Sequence, residues 1–221
     1  MKAGSVSHPK RKPIIGIIGG VGSGKSTVAK QFGRLGAAVL EADRIGHEVL
    51  RREDVRAAVR QRWGEEVFES QGEVDRSRLA RMVFGSDAVA DQERKYLEHL
   101  VHPLIGAELE EQLDAARNDP GAAAVVIDAA LLVEAGWDRL CDCLVFVEAR
   151  PGQRLQRAAM SCGWGPEEVA ARERAQDSLI VKRRRADYVV DNSGSEIETF
   201  QQVERLFSAL TADPPVAANP S

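Results

Sequence analysis

The chain has 221 residues, enough for one substantial core with room for an inserted subdomain, and its 43 % hydrophobic and 29 % charged residues are those of an ordinary globular protein. A net charge of -4 argues against nucleic acid as the main partner, because duplex binders present a basic face. No apolar run is long enough to cross a bilayer, and the basic start (Lys2, Lys10, Arg11, Lys12) leads into no signal-type segment, so the expected location is the cytoplasm, with no membrane partner.

Residues 1–12 are expected to be a disordered tail before a folded region over 13–211. Ile14-Ile15-Gly16-Ile17-Ile18 reads as a strand buried on both faces, since its apolar residues do not alternate with polar ones. Val28 to Leu35 reads as a helix closed by Gly36, and Ala37 to Leu40 as a second strand. From about 44 to 119 the pattern is helical: Asp75 caps Arg76 to Phe84, and a long helical region runs from Ala88 to Arg117. His102-Pro103 should interrupt that region, because the residue before proline is pushed out of helical geometry. Asn118-Asp119-Pro120-Gly121 is a turn.

Ala122 to Ile127 is the third strand, followed by a helix from Ala129 to Glu134 that Asp128 would cap. Leu144 to Val147 is the fourth strand. Cys141 and Cys143, two apart, would share one face of it, and with Cys162 elsewhere the three read as reduced thiols rather than a metal or redox pair. Gly165-Pro166-Glu167-Glu168 opens a helix with proline first and acids in its first turn. Lys182-Arg183-Arg184-Arg185 reads as a lid-side or solvated helix face, not a nucleic-acid patch. Tyr188 to Val190 is the fifth strand, Ser195 and Glu198 have capping-box spacing, and 212–221 is expected to be a disordered tail. Five strands separated by helices imply parallel pairing with crossovers. The expected fold is an α/β three-layer sandwich of the P-loop NTPase class, a five-stranded parallel sheet with a helical insert at about 44–119 and a lid at about 154–185.

The strongest chemical signal is Gly19-Gly20-Val21-Gly22-Ser23-Gly24-Lys25-Ser26, which matches G-x-x-x-x-G-K-[ST]. Its glycines let the backbone curl so that successive N–H groups point at phosphate oxygens. The next helix adds its N-terminal dipole, Lys25 reaches the β- and γ-phosphates, and Ser26 ligates Mg²⁺. Gly20, Val21, Gly22, Ser23, Gly24, Lys25, Ser26 and Thr27 are therefore the expected nucleotide-binding residues. A chance match in a chain of this length is on the order of one in a hundred at typical residue frequencies, and this match also sits between a buried strand and a helix. No Asn-Lys-x-Asp guanine signature occurs. Asp191-Asn192-Ser193-Gly194 fits D-x-x-G but follows the last strand, the wrong place for a GTPase switch. Size, helical insert and a late Arg-rich helix suit a small-molecule kinase.

Asp43 follows the second strand and Asp128 ends the third, so both emerge at the carboxyl edge of the sheet, where ligands of open α/β folds bind. Asp43 could accept the proton of an attacking hydroxyl, or it could cap the helix from Arg44. Asp128 could hold the water shell of Mg²⁺, bind the acceptor, or cap a helix. The residues alone leave these readings open. His47, His99 and His102 show no metal-ligand spacing with the cysteines, so no zinc site is expected.

From Ile14 to about Leu210 the chain resembles the dephospho-coenzyme A kinases. The resemblance rests on Ile17 to Ala29; on Glu41-Ala42-Asp43 with Arg44 to Val49; and, in the insert, on Gly72, Asp75-Arg76, Leu79, Val83-Phe84, Leu97-Glu98 and His102-Pro103-Leu104-Ile105. It continues through Asp128 with Leu131-Leu132-Val133-Glu134, then Gln176, Lys182 and Ala186 to Gly194. It implies transfer of the ATP γ-phosphate to the ribose 3′-hydroxyl of dephospho-coenzyme A, with ATP and dephospho-coenzyme A as small-molecule partners and Mg²⁺ as cofactor. It implies Asp43 as base, Asp43, His102, Asp128 and Leu131 at the acceptor, the insert as acceptor-binding domain, and an Arg-rich lid near Arg154 to Arg174. A monomer or small homo-oligomer fits equally.

Three positions depart from the family pattern. Glu41 replaces an aspartate, Ala130 stands where a proline usually precedes the two leucines, and Ser161 occupies the place of an expected lid arginine. Arg157 lies one helical turn before Ser161, so its side chain is expected to reach toward the same region and to join Lys25 and Asp43 as a catalytic residue. The alternatives are another nucleoside or nucleotide kinase, which a substrate panel would separate, and a non-catalytic nucleotide-binding module, which an ATP-consumption assay would separate.

Overall fold

The apolar run Ile14–Gly19 forms β1, and every residue in it is buried. Its side chains divide between two cores: Ile14 and Ile18 pack into one, Ile15 and Ile17 into the other. A strand with period two must do this when helices cover both its faces. The computed structural model, which describes residues 11–85 and 87–215, places β1 at the centre of a five-stranded sheet. The other strands are β2 (Ala37–Glu41), β3 (Ala124–Asp128), β4 (Cys143–Glu148) and β5 (Tyr188–Asp191), in the order β2-β3-β1-β4-β5. Every pairing is parallel, as the alternation of strands and helices requires.

On one face lie α1 (Lys25–Arg34) and α9 (Glu196–Ala212), joined to the sheet by Val28, Phe32, Val203 and Phe207. Phe32 and Phe207 meet edge to face with centroids 6.2 Å apart. The other face carries the chain between β2 and β3, which folds as α2 (Ala42–Val49), α3 (Glu53–Trp63), α4 (Arg76–Val83) and α5 (Ala88–Asn118). Asp75 caps α4 as expected, accepting from Ser77 N and Arg78 N at 3.0 Å each. No strand forms there among the described residues; Phe68 and Val74 make only an isolated bridge.

The expected break at His102-Pro103 does not occur, and α5 runs through Pro103 as one helix of 31 residues. A proline inside a helix costs about 3 kcal/mol. Beyond it, Ile105, Leu109 and Leu113 are all buried against the sheet and α2. Burying such side chains contributes about 1.5–3 kcal/mol each, so packing outweighs the local penalty.

Other expectations are also corrected. Residues 129–134 form turns, not a helix, and the first helical segment after β3 is a 3₁₀ turn at Trp137–Leu140, so Asp128 caps nothing. Helix α2 starts at Ala42 with Glu41 as its cap residue, which puts Asp43 inside the first turn instead of at the cap. Cys141 precedes β4 and packs toward the core under the insert, while Cys143 faces the opposite core. The two thiols therefore do not share a face. All three cysteines are free, and burial raises Cys141 and pushes Cys143 up to about 12. Of the expected tails, 1–10 and 216–221 lie outside the described residues. Arg11 is tied to Asp142, and Lys12 donates to Ala116 O at 3.2 Å.

After β4 come α6 (Pro151–Cys162), α7 (Pro166–Arg174) and α8 (Leu179–Arg185), which carry the arginines expected of a lid. The expected helix start at Gly165-Pro166 holds, with Glu168 in the first turn accepting from Gly165 N at 2.7 Å, and so does the expected capping box, where Ser195 Oγ accepts from Glu198 N at 3.2 Å.

Leu109 is fully buried between α5 and the sheet. Leu109→Ala should lower unfolding free energy by about 2–5 kcal/mol, read as a lower urea midpoint at unchanged slope. A loss under about 1 kcal/mol would contradict the docking of α5 through Pro103.

Candidate active site

The phosphate loop joins the end of β1 to Lys25, the first residue of α1. Its curl depends on glycine at two places. Gly22 has φ +71°, and a Cβ there would lie 2.2 Å from the Arg154 carbonyl oxygen. Gly24 has φ +92°, and a Cβ there would lie 2.2 Å from Asn192 Nδ2. Both clashes come from elements that hold the loop from outside. Asn192, after β5, donates from Nδ2 to Ser23 O at 2.8 Å and accepts at Oδ1 from Thr199 Oγ1 at 3.1 Å. Arg157 of α6 donates to Asn192 O at 2.9 Å and to Ser23 O at 3.3 Å. Arg154 donates to Val21 O at 3.4 Å and pairs with Glu173. Sequence reasoning missed Asn192 and Thr199 as braces; the available signal was the segment Asp191 to Gly194, weighed only as a switch motif and a family match.

Lys25 Nζ donates to the loop's own carbonyls, Gly20 O at 3.0 Å and Gly19 O at 3.2 Å. Burial, followed by the nearby Lys182 charge, pulls its ammonium down to about 8, against the opposing pull of Asp128, Asp43 and Glu134. Burial raises Asp128 above the usual carboxylate range, while the neighbouring Ser26 hydroxyl and the Lys25 charge oppose the rise. Asp128 stands opposite Glu41 in the β2–β3 register, which gathers carboxylates at this edge. Ser26 and Asp128 are adjacent hard oxygen donors, a set that suits Mg²⁺ with waters completing its shell. No group of three His, Cys, Asp or Glu that could hold a metal ion forms among the described residues.

One cavity of about 950 Å³ unites these groups. Its phosphate end is lined by Val21, Gly22, Gly24, Lys25, Ser26 and Thr27; Gly20 and Ser23 of the loop stay outside the lining. Gly20 is backed by Arg154 Nη1, 2.6 Å from where its Cβ would be, and the Ser23 hydroxyl is buried with no protein partner. Asp43, Asp128, Leu131, His102 and Arg157 all line the same cavity. The far wall is apolar, with Leu79, Val83, Phe84, Leu97 and Val101 from α4 and α5. His102 meets Trp137 edge on at 5.4 Å, and burial lowers its pKa, which favours the neutral imidazole.

Arg157 does not reach toward Ser161. Its guanidinium is spent on Ser23 O and Asn192 O, while Ser161 Oγ donates back to Arg157 O at 2.7 Å. Arg172 of α7 also lines the cavity and lies 3.7 Å over the Trp164 ring and 5.0 Å over the Phe84 ring. It links α7 to the end of α4 across the cavity rim. Trp137 and Trp164 had no signal in the sequence beyond their size.

The sequence model described as dephospho-CoA kinase matches residues 13–198. A curated dephospho-CoA kinase from Symbiobacterium thermophilum is 41 % identical over 199 residues, covering 89 % of this chain and 80 % of that one. The dephospho-CoA kinase from Aquifex aeolicus is 36 % identical over 202 residues, covering 90 % and 98 %. Among solved structures, the TT1252 protein from Thermus thermophilus aligns with a TM-score of 0.73 at 36 % identity, covering 94 % of this chain and 100 % of that one. The dephospho-CoA kinase from Campylobacter jejuni aligns with a TM-score of 0.58 at 20 % identity, covering 90 % and 97 %, and shares the fold. With a phosphate loop, two strand-end carboxylates and relatives similar over most of their length, this chain belongs to the dephospho-CoA kinase family.

Proposed function

We propose that the chain transfers the γ-phosphate of ATP to the ribose 3′-hydroxyl of dephospho-CoA, the last step of coenzyme A biosynthesis. The observation that carries this reading is one cavity that holds a phosphate loop, the Asp43 carboxylate and an apolar wall between helices α2, α4 and α5. A phosphoryl transfer needs both substrates aligned and the developing charge met by fixed dipoles, and little covalent help from the protein.

The loop amides and the α1 N-terminus hold the β- and γ-phosphates, and Lys25 leaves the Gly19 and Gly20 carbonyls for phosphate oxygens. Mg²⁺ bound by Ser26 and Asp128 would supply further charge neutralisation on the β- and γ-oxygens. Asp43 accepts the proton of the attacking hydroxyl as the new P–O bond forms. Asp128, His102 and Leu131 line the acceptor side, with the helical segment α2–α5 as the acceptor-binding insert. Arg157 keeps the loop in shape and presents its charge beside the phosphates. Helices α6–α8 act as the lid, excluding water from the reacting phosphate.

The direct test supplies ATP, Mg²⁺ and dephospho-CoA and follows ADP together with 3′-phosphorylated product. Equal amounts of the two are expected; ADP without product would refute the acceptor, and no ADP would refute catalysis. Lys25→Ala should cost turnover ~10²-fold or more with the thermal melt nearly unchanged, because one electrostatic donor to the transferring group is lost. A folded variant with near-normal rate sinks that role. Asp43→Asn keeps size but cannot take a proton, so kcat should fall ~10²–10⁴-fold while ATP binding holds. If the rate per folded molecule survives and only the melt shifts, Asp43 serves the first turn of α2 and not the chemistry.

A further inference from the structure

Lys182 belongs to the run Lys182-Arg183-Arg184-Arg185, whose arginines are exposed; Arg183 and Arg185 pair at the surface with Glu148 and Asp138. Lys182 itself is only 2 % exposed. The solvated-face reading therefore fails at this one position. Its ammonium is shared by two acceptors, Gln176 Oε1 at 2.8 Å and Glu134 Oε1 at 2.9 Å. Glu134 Oε1 also accepts from the backbone N–H of Asp177 at 2.8 Å. One carboxylate oxygen thus fastens both ends of the strap from Gln176 to Lys182, which carries the chain from α7 into α8.

One end of this network lies at the active-site cavity, and the other stands a few residues along the chain from it. Ala175 and Gln176, where α7 gives way to the strap, line it. Ala130 and Leu131, a few residues before Glu134 in the loop after β3, line it too. The charge of Lys182 is also felt at Lys25. As core filler the pair is a poor choice. Replacing a buried ion pair by apolar residues of similar volume is often neutral or stabilising, whereas removing one partner is strongly destabilising. Two buried charges here call for a reason other than stability, and their placement supplies one. The strap joins α7 to α8 within the segment read above as a lid, and Glu134 stands on the loop whose Leu131 is read above as part of the acceptor side.

We propose that Lys182 is a positioning residue that, through Glu134 and Gln176, pins the α7–α8 strap of the lid to the acceptor-side loop and so sets the geometry in which the acceptor is held. The inference rests on the proposed kinase reading. It concerns the acceptor half of the reaction: the phosphate loop has its own braces in Asn192, Arg157 and Arg154, whose hydrogen bonds go to the loop and not to this network.

The test compares the full-length wild type, Lys182→Met and the double variant Glu134→Met with Lys182→Met. Each is measured for thermal melting, equilibrium binding of a non-hydrolysable ATP analogue, and steady-state kinetics with dephospho-CoA. Lys182→Met should melt earlier and lose about tenfold or more in kcat/KM for dephospho-CoA, with the analogue bound within about twofold of wild type. The double variant removes the stranded charge, so its melt should return toward wild type. It still lacks the acceptor for Asp177 N–H, so its kinetic loss should remain. If the double variant recovers kcat/KM along with its melt, the pair is only structural and the proposal falls. It falls equally if Lys182→Met keeps full kcat/KM per folded molecule, or if analogue binding collapses in parallel. A wild type that turns over no dephospho-CoA overturns the kinase reading and this inference together; a wild type that turns it over leaves the variants to judge the inference alone.

Discussion

Turning several backbone N–H groups toward one point brings the positive ends of their dipoles together, and those ends repel. The stretch from Gly19 to Gly24 must hold that arrangement in a loop whose glycines, at φ values such as +71° and +92°, do little to rigidify the backbone. The rigidity comes from outside. Carbonyls that point away from the phosphate face are taken up by Asn192, Arg157 and Arg154, from elements more than a hundred residues later. A donor on each outward carbonyl fixes the peptide plane and so fixes the direction of the neighbouring N–H. The order of strands serves the same end: β1 is central, with β3 and β4 beside it, so residues after β3, β4 and β5 all arrive at the loop's edge of the sheet.

Division of the sheet into two faces follows from the same geometry. The α1 and α9 face is made of short, regular contacts such as Phe32 against Phe207. The opposite face carries α2 to α5, and there the helices leave an apolar wall facing the phosphate loop instead of closing onto the sheet. A cavity with charge and amides at one end and aliphatic side chains at the other suits a nucleotide-like molecule, whose phosphates and base need opposite surroundings.

Much of this was legible in the residues because buried parallel strands write themselves as unbroken apolar runs, and because a phosphate loop needs glycines and a lysine at fixed spacing. Asp43 and Asp128 were legible as strand-end residues. What the residues hid was long-range. Pro103 reads as a break because its penalty is local, while the burial of Ile105, Leu109 and Leu113 that overrides it is tertiary. Asn192 and Thr199 are ordinary polar residues until the fold brings Ser23 beside them. Lys182 sits in a basic run that averages as solvated, and only the path of the strap shows that one of its four side chains turns inward.

The cations near the phosphate end share a property that composition could not reveal: each already has a protein partner. Lys25 rests on two loop carbonyls, Arg157 on two others, Arg154 on Glu173, Lys182 on Glu134 and Gln176, and Arg172 on two aromatic rings. A bare cation held in a half-buried pocket would bear a desolvation cost of several kcal/mol, and an array of them would repel one another. Distributing them over carbonyls, carboxylates and rings offsets part of that cost before any substrate arrives. The corollary is that a triphosphate must compete for Lys25 and gains only the difference between two sets of partners. Affinity is thereby restrained, and a product that carries less charge loses that competition sooner, which favours its release. For an enzyme whose task is transfer, tight binding of the ground state brings no gain in kcat, and a set of cations that can exchange partners serves it better than a set that cannot.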